Sequence, residues 1–228
     1  MHDIRAILFD KDGTLFDFQA TWGAWAHELI AELAPGDPVR ALALADAMDF
    51  DPGAARFRPG SVVIAGTGRE VAALLAPIAG QDAATLESRI ATAAAAAPLA
   101  ESVPLRPLLA RLRAAGLKLG VATNDFEAVA HRHVAPVVDL FDFVAGFDSG
   151  HGGKPEPGML LAFARACGVP PRSVLMVGDS RHDLIAGRAA GMATLAVLTG
   201  VATADDLVDL ADAVRPDIGH LPELLGLA

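Results

Sequence analysis

The chain has 228 residues, of which 53% are hydrophobic and 20% are charged. This composition supplies enough apolar material for a core and excludes a disordered chain, so one compact domain, with or without an insertion, is expected. The formal net charge of −10 argues against binding to nucleic acids or anionic membranes. With a single cysteine, Cys167, no signal sequence and no apolar stretch of about 20 residues, the chain is predicted to be cytoplasmic.

Short apolar runs alternate with helical patterns along most of the chain. The runs predict buried strands at residues 4–9, 117–122, 143–145, 174–177 and 194–198. Helices are predicted between them, at 104–115, 125–134, 156–167 and 182–190. This alternation indicates a doubly wound α/β domain, in which helices cover both faces of a parallel sheet.

Residues 17–97 follow a different pattern. Amphipathic helices are predicted at 19–34, 38–49, 68–79 and 82–96, and no β-branched run of comparable strength occurs between them. Proline and glycine at 51–53 and 58–60 break the helical pattern in its middle. The predicted domains are therefore an α/β core of residues 1–16 and 98–228 and an inserted helical domain of residues 17–97, called the insertion below.

Four groups of polar residues follow predicted strands. In an open parallel sheet, ligands bind outside the carboxyl ends of the strands, so these groups are the candidates for a functional site. They comprise carboxylates, hydroxyls, an amide and the ammonium groups of two lysines. The groups are Asp10–Leu15, Thr123–Asp125, Gly152–Pro157 and Gly178–Asp183.

These side chains fit the transfer of a phosphoryl group from an ester to an aspartate. A carboxylate is ionised at neutral pH, so it can act as a nucleophile without an activating base. Because an anionic nucleophile and an anionic phosphate repel each other, the site requires a hard divalent cation, and Mg²⁺ suits oxygen ligands. A lysine can stabilise the charge on the remaining phosphoryl oxygens. The sequence therefore predicts a Mg²⁺ cofactor.

In their order and residue types, the four groups resemble the four motifs of the haloacid dehalogenase superfamily of phosphohydrolases. The resemblance covers nearly the whole chain. The insertion is similar in position to the helical cap of the branch that contains phosphoglycolate phosphatases and β-phosphoglucomutases. The resemblance implies a Mg²⁺-dependent phosphatase that hydrolyses a small phosphorylated metabolite, such as a phosphoglycolate-like ester, through a phospho-aspartyl intermediate. Asp12 favours phosphate esters over carbon–halogen bonds, because dehalogenase members lack this acid.

The resemblance also implies roles for the acidic residues. Asp10 would be the nucleophile, and Asp12 would be the general acid that protonates the leaving oxygen and then the base that activates water. Asp10, Asp179 and the backbone carbonyl of Asp12 would bind the metal. Asp183 would hold a metal-bound water or orient Lys154.

The remaining implied contacts are with the substrate. Thr123 would donate its hydroxyl to the phosphoryl group with assistance from Asn124, and Lys154 would bridge the phosphoryl oxygens and the nucleophile. The resemblance places a specificity loop near residues 66–70, so Arg69 is a candidate for substrate binding. The same five residues also fit a plain helix start, because a threonine and a glutamate there have capping-box spacing.

Two other functions stay open. A sugar phosphomutase would use the same nucleophile but shield the phospho-enzyme from water. A non-catalytic regulatory subunit could use the same fold, since a fold alone does not establish an activity. Every charged position of the four motifs is present, which favours an enzyme. A monomer and a homodimer are both compatible with the sequence.

Overall fold

The computed structural model describes residues 3–227, and a parallel sheet forms its centre. The strands in chain order are β1 (Ala6–Phe9), β2 (Phe50–Asp51), β3 (Arg56–Phe57), β4 (Lys118–Ala122), β5 (Phe143–Ala145), β6 (Val174–Gly178), β7 (Ala193–Val197) and β8 (Ala213–Arg215). Within the described residues, six of them form one sheet in the order β5-β4-β1-β6-β7-β8, and every neighbouring pair is parallel. The predicted doubly wound α/β fold is confirmed.

Helices from the carboxyl-terminal part of the chain cover both faces of this sheet. They are α6 (Leu105–Ala114), α7 (Glu127–Val134), α8 (Gly158–Cys167), α9 (Arg181–Ala190), α10 (Ala204–Leu207) and α11 (Leu221–Leu224). Side chains alternate along β1, so Ile7 and Phe9 pack with α6 while Ala6 and Leu8 pack with α8. Because both faces are covered, β1 is fully buried and its carboxyl end is held rigidly.

The insertion forms an apolar core of its own. Its helices are α1 (Phe18–Leu33), α2 (Pro38–Ala47), α3 (Val62–Ala65), α4 (Gly68–Ala79) and α5 (Ala83–Ala95). Trp22, Trp25 and Leu29 on α1 pack in the same cluster as Leu75 on α4 and Ile90 on α5. The exact domain boundaries at residues 16–17 and 97–98 stay a prediction.

The helical pattern missed one feature of the insertion. Strands β2 and β3 form an antiparallel hairpin in which Phe50 lies opposite Phe57, and their ring centroids are 4.9 Å apart. The carboxylate of Asp51 accepts hydrogen bonds from the backbone amides of Gly53 and Ala54, which closes the turn. Strands of two residues are too short to produce an apolar run, so the sequence indicated only the breaks on either side. Strand β8, which has three residues and ends in an arginine, was also not predicted.

The two connections between the core and the insertion run side by side. The backbone amide of Asp17 donates to the carbonyl of Ala100, and that of Ser102 donates to the carbonyl of Leu15. The chain therefore leaves and re-enters the core at one point, just beyond β1. Within residues 3–227, no helix has both the length and the apolar character that crossing a bilayer requires.

Candidate active site

A cavity of about 70 Å³ lies where the insertion meets the carboxyl ends of β1, β4 and β6. One wall comes from the loops that follow β1, β4, β5 and β6, and the opposite wall comes from α1, α3, α4 and α5. Seven of the eight residues predicted for the site line this cavity. They are Asp10, Asp12, Thr123, Asn124, Lys154, Asp179 and Asp183.

Lys154 lies at the centre of the charged wall. Its Nζ donates to Oδ1 of Asp10 at 2.5 Å and to Oδ1 of Asp183 at 2.6 Å, and only 3% of its side chain is exposed. Burial lowers the pKa of Lys154, but the two carboxylates outweigh this effect and hold it above its usual range. The side chain is therefore a fixed ammonium ion beside the Asp10 carboxylate.

Three buried carboxylates crowd around this ammonium. Asp10, Asp179 and Asp183 each place an oxygen within 4.8 Å of the others. Burial, together with the charges of Asp183 and Asp12, raises the pKa of Asp10 to about 7, although Lys154 opposes the shift. Burial and the same crowding raise the pKa of Asp179 well above its ordinary value. One ammonium cannot balance three carboxylates, so this set of oxygen donors fits a hard divalent cation.

Local backbone geometry holds two of these carboxylates in place. A Cβ at Gly13 or at Gly200 would collide with the Asp179 carboxylate, and Gly13 also has a left-handed φ of +87°. Asp183 closes a capping box at the start of α9, where its Oδ2 accepts from the backbone amide of Ser180 at 3.0 Å and from its hydroxyl at 2.6 Å. This leaves Oδ1 of Asp183 for Lys154.

Asp12 takes part in a separate network. Its Oδ1 accepts from the indole Nε1 of Trp22, on α1, at 2.9 Å. The fully buried Lys11 lies 2.7 Å from Oδ2 of Asp12 and 3.0 Å from Oδ2 of Asp125. Burial lowers the pKa of Lys11, but these two carboxylates raise it above its ordinary value. The Asp12 carboxylate is therefore oriented by one residue of the core and one residue of the insertion.

The network ends at a buried histidine. Nδ1 of His133 lies 2.9 Å from Nζ of Lys11, and Nε2 lies 2.9 Å from the carbonyl oxygen of Ala94. An ammonium group can only donate, so Nδ1 accepts and Nε2 carries the proton. Burial and the nearby Lys11 charge lower the pKa of His133, which agrees with a neutral ring. This histidine links the core to α5 through a backbone carbonyl.

Thr123 and Asn124 line the cavity but differ in what they can offer a ligand. The Thr123 hydroxyl accepts from the backbone amide of Asp125 at 3.1 Å, which leaves its own proton available for donation. The amide nitrogen of Asn124 already donates to the carbonyls of Ala65 and Lys154, and its oxygen accepts from the Lys154 backbone amide. Asn124 thus holds the Lys154 loop against α3, and its predicted contact with a phosphoryl group stays a prediction.

Arg69 is the predicted site residue that the structure does not bring to the cavity. Its side chain is 68% exposed, its Nε lies 3.3 Å from Oε1 of Glu87, and its guanidinium lies over the ring of Phe147. The capping box expected from residues 67 and 70 is present at the start of α4. The helix-start interpretation therefore accounts for this segment, and substrate binding by Arg69 stays a prediction.

The family model for haloacid dehalogenase-like hydrolases matches residues 4–191 of the chain. The chain belongs to this family. The match extends from just before β1 to just after the end of α9. It therefore includes all four motif groups on the charged wall of the cavity. It also includes the whole insertion.

Two curated proteins and one solved structure are similar to the chain. It is 38% identical over 120 residues to the phosphoglycolate phosphatase of Neisseria meningitidis, which covers 51% of this chain and 51% of that protein. It is 35% identical over 127 residues to the phosphoglycolate phosphatase of Escherichia coli K12. This alignment covers 52% of this chain and 48% of that protein. The chain thus aligns with about half the length of these curated relatives.

The third relative is a solved structure from Bacteroides fragilis, described as a haloacid dehalogenase-like hydrolase. It superposes with a TM-score of 0.72 and covers 96% of this chain and 99% of that one. At 23% sequence identity, this likeness shows the fold alone.

Sequence reasoning missed the parts of this family site that depend on long-range contacts. Lys11 stands between two motif aspartates, and its position at the end of an apolar run was a usable signal for a buried, paired lysine. Phe18, Trp22, Trp25 and Leu29 have helical spacing, which indicated a buried face of α1. That spacing contained no sign that the Trp22 indole would reach Asp12.

Proposed function

We propose that the protein is a phosphatase that hydrolyses a small phosphomonoester through a phospho-aspartyl intermediate. The observation that carries the proposal is the buried Lys154 ammonium, which donates to Asp10 at the end of β1 and lines the cavity between the core and the insertion. A carboxylate with an adjacent ammonium provides a nucleophile and a counter-charge for the incoming phosphate. The size of the cavity favours a small ester.

The first chemical step joins the substrate to Asp10. An oxygen of the Asp10 carboxylate attacks phosphorus, and the bond between phosphorus and the ester oxygen breaks. The Lys154 ammonium and the Thr123 hydroxyl donate to the phosphoryl oxygens, whose charge is spread out in the transition state. Asp12 gives its proton to the departing oxygen, so the alcohol leaves neutral.

The second step returns the enzyme to its starting state. Asp12, now ionised, accepts a proton from a water molecule that attacks the phosphorus of phospho-Asp10. The bond between phosphorus and the Asp10 oxygen breaks, inorganic phosphate leaves, and Asp12 is protonated again. Lys11 and Trp22 support both steps by orienting the Asp12 carboxylate.

The oxygen donors at the site suit Mg²⁺ as the cofactor. Asp10, Asp179 and the backbone carbonyl of Asp12 would hold it, with Asp183 beside them. When bound, the cation supplies positive charge that favours ionised Asp10 and offsets its repulsion from the phosphate. The reducing cytoplasm is the proposed location, because nothing in the sequence requires a disulfide.

Phosphate release from a panel of esters, measured with Mg²⁺ and with a chelator, tests this function. Wild-type protein should release inorganic phosphate only when the cation is present. Phosphoglycolate belongs in the panel because the curated relatives carry its name. An isomeric sugar phosphate as the product would instead support a phosphomutase. No turnover of any ester, together with tight capture of a protein partner, would support the regulatory alternative.

A further inference from the structure

The wall of the cavity contributed by the insertion is apolar and uncharged. Its large side chains include those of Trp22, Trp25, Val63, Ile64, Val71 and Ile90. In the described part of the chain, none of the five arginines of the insertion lines the cavity. Arg40, Arg58, Arg69 and Arg89 instead pair with acidic side chains on the outside of the insertion. The insertion therefore presents no cation to the part of the substrate that faces it.

One residue of this wall has a buried polar atom without a partner. Trp25 is 3% exposed, and its indole Nε1 makes no hydrogen bond with any described residue. Trp22, which packs edge-to-face against Trp25 at a centroid distance of 5.2 Å, uses its own Nε1 to hold Asp12. Buried N–H groups are nearly always paired, so an unpaired donor in a cavity wall marks a position for an acceptor on a ligand.

The charges around the cavity oppose a second anionic group on the substrate. The Asp125 carboxylate lines the cavity beside the apolar wall, and the Lys154 ammonium, which donates to Asp10 and Asp183, is assigned to the phosphoryl group. His182 also lines the cavity, but it lies at the start of α9 on the core side, next to the phosphate end. A carboxylate on the alcohol part would lose its hydration without gaining a cation from the wall that it faces.

We propose that the substrate is a phosphomonoester of a short, uncharged and largely apolar alcohol that carries one oxygen acceptor for Nε1 of Trp25. The proposal rests on the phosphatase function and specifies its substrate class. Trp25 is then a specificity-determining residue, and the apolar wall discriminates against esters such as phosphoglycolate.

Three esters of nearly equal size test the proposal in the wild-type protein with Mg²⁺. Phosphoglycolate ends in a carboxylate, 2-hydroxyethyl phosphate ends in a neutral hydroxyl, and ethyl phosphate ends in a methyl group. We expect kcat/KM for 2-hydroxyethyl phosphate to exceed that for phosphoglycolate by at least about tenfold. Equal values, or a preference for phosphoglycolate, overturn the substrate class while leaving the phosphatase function intact. No phosphate release from any of the three overturns both.

Trp25→Phe isolates the indole N–H, because phenylalanine keeps an apolar ring at this position. The variant should lose about tenfold in kcat/KM with 2-hydroxyethyl phosphate and change little with ethyl phosphate, which has no acceptor. Ethyl phosphate thus controls for misfolding and for altered chemistry. An equal loss with both esters overturns the role of Trp25.

Arg69→Ala separates this proposal from the expectation that a cation of the insertion binds a substrate carboxylate. If no arginine of the insertion binds the substrate, this substitution should change kcat/KM by the same factor with phosphoglycolate and with 2-hydroxyethyl phosphate. A selective loss with phosphoglycolate overturns the proposal.

Discussion

The charged wall and the apolar wall of the cavity are built by different parts of the chain and by different forces. The charged wall consists of ion pairs at loops that follow buried parallel strands, such as Lys154 with Asp10 at 2.5 Å. The apolar wall belongs to helices that also form the core of the insertion, and its Trp25 donor is unpaired. Groups that must be placed accurately thus come from the rigid sheet, whereas the helices shape the space around the substrate.

The largest effect should follow a change at the charged wall. Asp10→Asn removes the proposed nucleophile, and we expect kcat for phosphate release to fall by at least about 10³-fold. The free energy of unfolding should not decrease, because one charge leaves a crowded carboxylate group. Steady-state kinetics and thermal unfolding measure the two quantities. Asp46→Asn, at an exposed position, is the matched control, and comparable activity in both variants would rule out Asp10 as the nucleophile.

The next effect concerns the network that joins the two walls. Lys11→Met leaves the carboxylates of Asp12 and Asp125 without their buried partner, so the free energy of unfolding should fall by about 3–5 kcal/mol. Urea denaturation followed by circular dichroism measures the change. Lys118→Met removes a lysine whose side chain is 47% exposed and should cost about 0–1 kcal/mol. Equal costs would show that the Lys11 contacts add no stability.

Cation binding tests the charge balance of the same wall. In the cation-free protein, the pKa of Asp10 is raised from the ordinary value of 3.8 to about 7. The folded state therefore binds this proton more tightly than the unfolded state, which stabilises the fold fully below pH 3.8, and this contribution is lost as the pH rises through 7. A cation needs the ionised carboxylate, so its stabilising effect should grow over the same range. A hundredfold excess over Kd adds about 2.7 kcal/mol, or about 5–11 °C in Tm. Thermal unfolding measures both trends.

Asp179→Asn is the control for the cation experiment, since it removes one predicted ligand while the fold stays intact. The variant should show little change in Tm when Mg²⁺ is added. A cation effect that is independent of pH, or that persists in this variant, would contradict the assignment of the carboxylates as its ligands.

The smallest effect should come from the outer edge of the apolar wall. Thr67→Ala removes the capping box at the start of α4, which should cost about 1 kcal/mol in the free energy of unfolding. Thr92→Ala is a matched change within α5, where the hydroxyl only back-bonds to the carbonyl of Ser88, and it should cost close to nothing. If the two variants have the same stability, the cap does not contribute to the insertion.

The sequence was most informative where local pattern determines structure. Strands β1, β4 and β6 follow from apolar runs, and the topology of a parallel sheet then brings the residues after them to one edge. This is why seven predicted site residues line one cavity.

The sequence was least informative where contacts join distant segments. The pairing of Lys11 with Asp125 spans more than a hundred residues, and the contact of Trp22 with Asp12 depends on how α1 packs. Arg69 shows the opposite case, because charge and position suggested a ligand-binding role while its nearest acidic partner, Glu87, lies outside the cavity. Side-chain direction at a helix surface depends on such neighbours, which spacing along the chain does not encode.

The hydrogen bond from Trp22 to Asp12 limits how far the two parts of this protein can be exchanged with those of relatives. The core supplies Asp12, the proposed acid, yet one of the donors to its carboxylate belongs to the first helix of the insertion. A chimera that replaced residues 17–97 would keep Asp10 and Lys154 but lose this donor. Grafting a foreign insertion would therefore require a tryptophan, or another N–H donor, at the position equivalent to 22.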